Sequence, residues 1–157
     1  MELRVIDFDI LTRSFQPYID GYKAIESEKR AMLDSIQPVR KEMELIISRS
    51  SSEDEATQKV SIEKFRELQE GLVKSDSEFK MKLKKMQEDL NTSTYDHLAE
   101  IISEWATQNS INLVMGKMEV IFNTNDIDVT EQILELLKEK EMFYTETVSG
   151  EVVQPTV

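Results

Sequence analysis

Asp7 and Asp9, one residue apart, follow an apolar run at the start of the chain, and a single histidine, His97, stands far from them in sequence. A carboxylate pair can supply a nucleophile and an acid, and a histidine can act as a general base. Neither has the company that such chemistry needs. There is no cysteine, and no glycine-rich run that would cradle a phosphate. Ser–His or Cys–His catalysis also requires a positioned acid and an oxyanion hole. His97 lies among polar residues of a helical stretch, which predicts a structural or solvated role. Asn123-Thr124-Asn125-Asp126-Ile127-Asp128 is faintly like a calcium loop, but it lacks the central glycine and the terminal bidentate glutamate. A turn followed by a helix cap is the better reading. Lys80, Lys82, Lys84 and Lys85 form a local basic run. It reads either as a solvated helix face or as a contact for acidic segments or anionic lipid. The sequence therefore predicts no catalytic residue, no metal ligand and no cofactor, and a protein that is not an enzyme.

Composition narrows the class further. The chain has 157 residues, of which 39% are hydrophobic and 32% charged, with four glycines and three prolines. That balance favours long helices with thin apolar seams over one thick core, and predicts that oligomerisation supplies the missing burial. The net charge of −12 argues against nucleic acid as a partner and permits basic or apolar ones. No apolar run approaches the roughly 18 residues of a membrane span, so no integral membrane segment is expected. Met1-Glu2 leads directly into an apolar strand with no visible signal peptide. The expected location is cytoplasmic as written, or periplasmic if the sequence is a processed form.

Residues 3 to 9 read as a buried strand with Asp7 and Asp9 at its polar positions. Residues 10 to 20 read as a transition punctuated by Pro17 and Gly21. From Tyr18, apolar residues recur at steps of four and three through Tyr22, Ile25, Met32, Ile36, Val39, Met43 and Ile46, with Lys29 as one polar member. That is a heptad seam. It stops in the polar run from Ser48 to Glu55, where Ser52 or Asp54 would cap a second helix. The second helix carries Phe65, Leu68, Leu72, Phe79, Leu83, Met86, Leu90, Leu98, Ile101 and Trp105. The long step from Leu90 to Leu98, beside the poor helix formers Asn91 to Thr94, marks where an arm would enter a body. Antiparallel arms would reach about 45 Å, with residue i facing roughly residue 105 − i. Pro38 and Gly71 then weaken the two helices at about one height, which reads either as a tolerated kink or as a joint in the arm. Asn109-Ser110 ends the second helix. Leu113–Met115 and Met118–Phe122 read as a hairpin around a type II′ turn at Gly116-Lys117. Asp128 followed by Glu131 opens a last helix in capping-box style.

A first strand whose next strand-like partner, Ile111 to Met115, lies a hundred or so residues later obliges the chain to travel out and return. The expected fold is α+β and mostly α: a small β-body with a long antiparallel helical hairpin. Residues 1–17 and 95–142 form the body and last helix, 18–94 the arm with its tip near 48–56, and 143–157 a flexible tail or an added edge strand. Leu33, Ile47, Ile62, Val73 and Met81 are apolar but off the seams. Singly they read as ordinary surface residues; lining the inner faces of several arms, they would make a diffuse adhesive surface for unfolded chains.

Two resemblances bear on this reading. Asp7-Phe8-Asp9 resembles the nucleophile strand of haloacid-dehalogenase phosphatases, but Leu11 stands where that motif carries Thr or Val, and the required alternating strands do not follow. The strand Leu3 to Phe8, the arm, Ile111-Asn112-Leu113-Val114-Met115, Val120-Ile121-Phe122-Asn123 and Asp128-Val129-Thr130-Glu131-Gln132-Ile133-Leu134 resemble the Skp/OmpH family of holdase chaperones. The last block is similar to that family's Asp-Ile-Thr segment. The resemblance implies a homotrimer, with strands from three subunits in a central body and three hairpins hanging like tentacles around a cavity for unfolded outer-membrane proteins, without ATP. With it, Val5, Phe8, Leu113, Met115, Val120 and Phe122 are expected in the trimer body, the off-seam residues Leu33, Ile47, Ile62, Val73 and Met81 would face clients, and flexing near Pro38 and Gly71 would fit the cavity to client size. Familiar members carry a secretion signal and are basic, whereas this chain is acidic even at its tip (Glu53, Asp54, Glu55). The alternative from a different class is a trimeric structural or assembly factor, including one for virion proteins, whose arms dock one specific partner. Prefoldin subunits also pair long helices on a β-body, but with their strands between the helices.

Overall fold

The computed structural model describes residues 1–51 and 54–145. Ser52 as a cap, Glu53 at the tip and residues 146–157 of the tail lie outside the described residues. The elements are β1 (Leu3–Ile6), α1 (Phe8–Arg13), α2 (Gln16–Ser50), α3 (Glu55–Gln108), β2 (Leu113–Gly116) and α4 (Thr130–Glu139), with single 3-10 turns at Lys117–Glu119 and Asn125–Ile127. The fold is mostly helical α+β with one two-stranded sheet. Neither strand lies between α2 and α3. Two compact units divide the chain: Met1–Tyr22 with the residues from Leu90 onward, and Lys23–Asp89.

In the first unit β1 and β2 pair in parallel, Leu3 opposite Leu113 and Ile6 opposite Gly116. On its other side β1 meets Asp128 in an isolated bridge, and the Val129 N–H donates to the Val5 carbonyl at 2.9 Å. The core beneath is built from Leu11, Phe15, Leu98, Ile133 and Leu137, all fully buried, with Ile6, Ile101 and Ile102 around them. The expected strand over residues 3 to 9 is too long. It ends at Ile6, and Asp7 caps α1 by accepting a hydrogen bond from the Ile10 N–H at 3.1 Å. Asp9 then sits in the first turn of that helix, where a negative charge is favourable. Turning the chain into a helix at Phe8 places Leu11 and Phe15 one turn apart and sends both into the core. The expected transition over residues 10 to 20 is thus mostly helical, and Pro17 falls in the first turn of α2, where its missing donor costs nothing. Gly21 lies against Leu90: a Cβ at that position would come within 2.4 Å of Leu90 Cδ1. The glycine lets the two helices approach closely.

The expected hairpin after Leu113 does not form. A type II′ turn needs positive φ at its glycine, but Gly116 has φ −68° and ψ 137°, continues β2, and runs into a 3-10 turn. Residues 120–124 pair with no strand among the described residues. The helix stop at Asn109-Ser110 is as expected. Ser110 takes a left-handed conformation (φ 57°), and the Ile111 N–H reaches back to the Ala106 carbonyl at 2.9 Å. The same closure ends α4 at Glu141 (φ 58°), with the Met142 N–H on the Leu137 carbonyl at 2.8 Å. Beyond it, Phe143 bridges Phe15, and the Tyr144 N–H donates to the Ser14 carbonyl at 2.8 Å.

The second unit is an antiparallel pair of helices. Of the expected seams, Ile25 is buried, and Met32, Ile36, Val39, Met43 and Ile46 face Phe65, Leu68, Leu72, Phe79, Leu83 and Met86, all half-buried. Lys29 stays exposed and pairs with Glu26 at 2.6 Å. Asp54 caps α3 through the Thr57 N–H at 2.8 Å, as its position suggested, and this bond holds its carboxyl below the usual value. The register is offset from the simple count: Lys64 bonds Glu42 and Lys82 bonds Glu28. Side chains lean toward the N-terminus of their own helix. In an antiparallel pair the contacting α3 residue therefore lies further from the tip than its α2 partner. Between those two ion pairs Pro38 and Gly71 fall at about one level, and a Cβ at Gly71 would meet open space.

Candidate functional site

The second unit carries an apolar surface that its own fold leaves uncovered. Leu33, Ile47, Ile62, Val73 and Met81 are all between 53% and 71% exposed; singly such residues are ordinary, and it is their number on one helix pair that bears on function. Leu33, Ile47 and Val73 each follow a seam residue (Met32, Ile46, Leu72), so a turn of about 100° carries them off the helix–helix contact. Ile62 and Val73 are three turns apart and share one face of α3. Leu45 and Val60, also more than half exposed, belong to the same set. The off-seam criterion would have found both.

The basic run on α3 does not make a free cationic patch. Lys80 pairs with Asp76 at 2.7 Å, Lys82 with Glu28, and Lys84 with Glu88 at 3.7 Å. Three of the four lysines are thus paired within the helix pair, and Lys85 alone forms no ion pair among the described residues.

The first unit presents an unfinished edge. One side of β2 pairs with β1; its other side has no partner strand among the described residues. Beside it lies an open groove of about 640 Å³, lined by Ile6, Phe8, Ile102, Leu113, Met115 and Met118 among others. The segment that follows is apolar and outside the core: Met118 is 92% exposed, Ile121 fully exposed and Phe122 80% exposed. The six residues assigned by resemblance to the trimer body divide. Val5 is fully buried within its own chain, and Phe8 packs on the core and against the Tyr95 ring at 5.4 Å. Leu113 and Phe122 are exposed, and Met115 and Val120 are half-buried. Met118 and Ile121 escaped the sequence reading because the expected hairpin would have paired that segment.

A polar knot fixes where this apolar segment leaves and returns. Thr130, 6% exposed, accepts from the Asp7 N–H through Oγ1 at 2.8 Å and donates to Asp128 Oδ1 at 2.6 Å. Asp128 also accepts from the Thr130 N–H at 3.0 Å and, through Oδ2, from Lys117 Nζ at 3.0 Å. Burial pushes the Asp128 carboxyl up, but the two Thr130 bonds and the Lys117 ammonium together hold it below the usual carboxylate range. Lys117 is raised in return, first through its hydrogen bond to Asp128. The expected capping box is realised differently: Asp128 caps α4 through Thr130, and Glu131 stays exposed in the first turn. Lys117 and Asp128 thus clamp the ends of the loop that carries Met118, Ile121 and Phe122.

The residues first singled out for catalysis are not assembled. Asp7 is a helix cap, Asp9 an exposed first-turn residue, and His97 meets the edge of the buried Phe15 ring at 5.3 Å. Among the described residues, no group of three or more potential ligands could hold a metal ion, and no helix is long and apolar enough to cross a membrane.

The family described as Outer membrane protein (OmpH-like) matches residues 5–137 of this chain. No curated protein matches it.

Proposed function

Since the chain belongs to the OmpH-like family, we propose that it is an ATP-independent holdase that cradles unfolded client proteins between the helical arms of a homotrimer. The observation that carries this reading is the set of exposed apolar side chains spread along a helix pair already closed by its own seams. Such residues keep more than half of their surface free of the chain's own packing, and they suit shallow, adaptable contact with apolar segments of many sequences. Each contact is weak. Three arms around one client convert them into tight holding through effective concentration.

Trimerisation answers the open edge of the first unit. A two-stranded sheet is marginal alone, and an exposed edge beside an apolar groove invites a further strand. Met118, Ile121 and Phe122 of a neighbouring copy are the apolar residues with which to cover it. Such a contact joins unlike surfaces, and a threefold rotation would close it as a ring. Light scattering across a dilution series tests this first. The expected mass is three times the 18.2 kDa chain. A monomer or dimer removes the cavity and the mechanism with it.

Flexing at Pro38 and Gly71 would let the arms fit clients of different size. Alanine at both positions restores the backbone donor that Pro38 lacks and replaces the two weakest helix formers with the strongest. Solution scattering should then show a narrower spread of arm conformations, and large clients should be held several-fold less well. Unchanged scattering and capture would sink the joint.

A further inference from the structure

The net charge of −12 is distributed with an extreme bias. The Lys23–Asp89 unit carries fifteen acidic and fourteen basic side chains, a net of −1. The other unit carries sixteen acidic and five basic, a net of −11. The helix pair is self-neutralised through pairs such as Lys82–Glu28, Lys64–Glu42 and Lys80–Asp76. In the first unit, four of the five bases are already taken: Arg4 by Glu2, Lys117 by Asp128, Lys138 by Glu135 and Lys140 by Glu104. Exposed like charges follow each other one turn apart at Asp96, Glu100 and Glu104 on α3, and at Glu131, Glu135 and Glu139 on α4. Such spacing destabilises a helix on its own.

Inside this field lies a second groove, of about 570 Å³, which shares Phe8, Asp9 and Tyr95 with the groove beside β2 and runs from them along Thr12, Tyr18 and Thr94. Phe8 and Tyr95 are tilted aromatic neighbours, and Tyr95 is 60% exposed. Asp9 lies beside them and forms no ion pair or hydrogen bond among the described residues. An aromatic pair with an adjacent free carboxylate is the surface that a lysine or arginine side chain recognises, stem on the rings and charge on the acid.

We infer that this groove in the acidic unit takes cationic segments of unfolded polypeptide, so that the chain prefers basic clients, with the near-neutral helix pair supplying contact that ignores charge sign. The inference rests on the holdase reading above and names its substrate class. The long-range field gathers cationic chains, and the groove retains a Lys or Arg.

The test uses the full-length protein and two forms of one permanently unfolded polypeptide, equal in length and apolar content, one net positive and one net negative. Fluorescence anisotropy should show the positive form binding about tenfold more tightly at about 50 mM salt, and the gap closing to about twofold at about 500 mM. The double variant Asp9→Asn, Tyr95→Ala should weaken binding of the positive form about fivefold and leave the negative form unchanged. Equal binding of both forms by the native protein overturns charge selection and leaves holding intact. A preference that survives the double variant overturns the groove. If neither form binds, the holdase reading itself fails. The salt response of the native protein needs no variant, so the inference stays testable if the double variant misfolds.

Discussion

Valine in place of Thr130 is expected to lower stability by about 2–3 kcal/mol, the largest effect of any single polar substitution here. The hydroxyl joins three parts of the chain at once. It accepts the Asp7 N–H at the exit of β1, donates to Asp128, and so anchors the start of α4. Valine keeps the volume but leaves the Asp7 N–H without its acceptor and Asp128 with one donor fewer. Serine keeps the hydroxyl and should retain most of the stability. Denaturant unfolding at fixed protein concentration measures the difference, since any oligomer makes the midpoint concentration-dependent. Equal stability of the valine and serine variants would show that the knot contributes nothing. The pH dependence follows from the same group. The Asp128 carboxyl is held below its unfolded value of about 3.9, so its contribution is complete above that pH and is lost as pH falls through the lowered folded value. Asparagine at 128 keeps an acceptor but no charge, and should flatten that part of the acid limb.

The helix pair was legible because its seams repeat at three and four over many turns, which no other structure satisfies. Thr94 shows where that signal ends. The apparent slip from Leu90 to Leu98 is filled by Thr94, 4% exposed, midway between them on the same face, and α3 runs through without a break. A polar residue in a seam position is invisible to an apolar pattern. The strand that became α1 failed for a different reason. A short apolar run cannot be assigned by periodicity alone, and the deciding clues were the Asp7 cap and the four-residue step from Leu11 to Phe15. The hairpin after Leu113 failed because β2 takes its partner from residues 3 to 6, a pairing set by the path of the whole chain and not by local turn chemistry.

The charge pattern was hidden by averaging. The acidic unit is assembled from both ends of the sequence and the near-neutral unit from its middle. A whole-chain net charge, or the acidic tip alone, therefore made the arms look more negative than they are. Once the fold separates the two, the arms have little charge with which to attract or repel a client, and their exposed side chains become the main source of any affinity there.

Changing Leu33, Ile47, Ile62, Val73 and Met81 together to glutamine should reduce capture of unfolded proteins about a hundredfold. A client that covers some 40 Å² of each side chain gains about 1 kcal/mol per contact. Five contacts will not add fully, which brings the sum to roughly 3 kcal/mol, or about two powers of ten. Helicity and native mass should hold, because all five positions are exposed and glutamine is at least as good a helix former as isoleucine or valine. Suppression of aggregation, measured on several unrelated unfolded proteins at near-stoichiometric ratios, separates the two functions the sequence allows. A holdase loses capture of all of them together, since the surface is shared and unspecific. An assembly factor would not have held them to begin with, and the same substitutions would weaken one tight complex. Full activity of the five-glutamine protein would move client binding off the arms, and the groove beside Asp9 and Tyr95 would then have to hold clients without them.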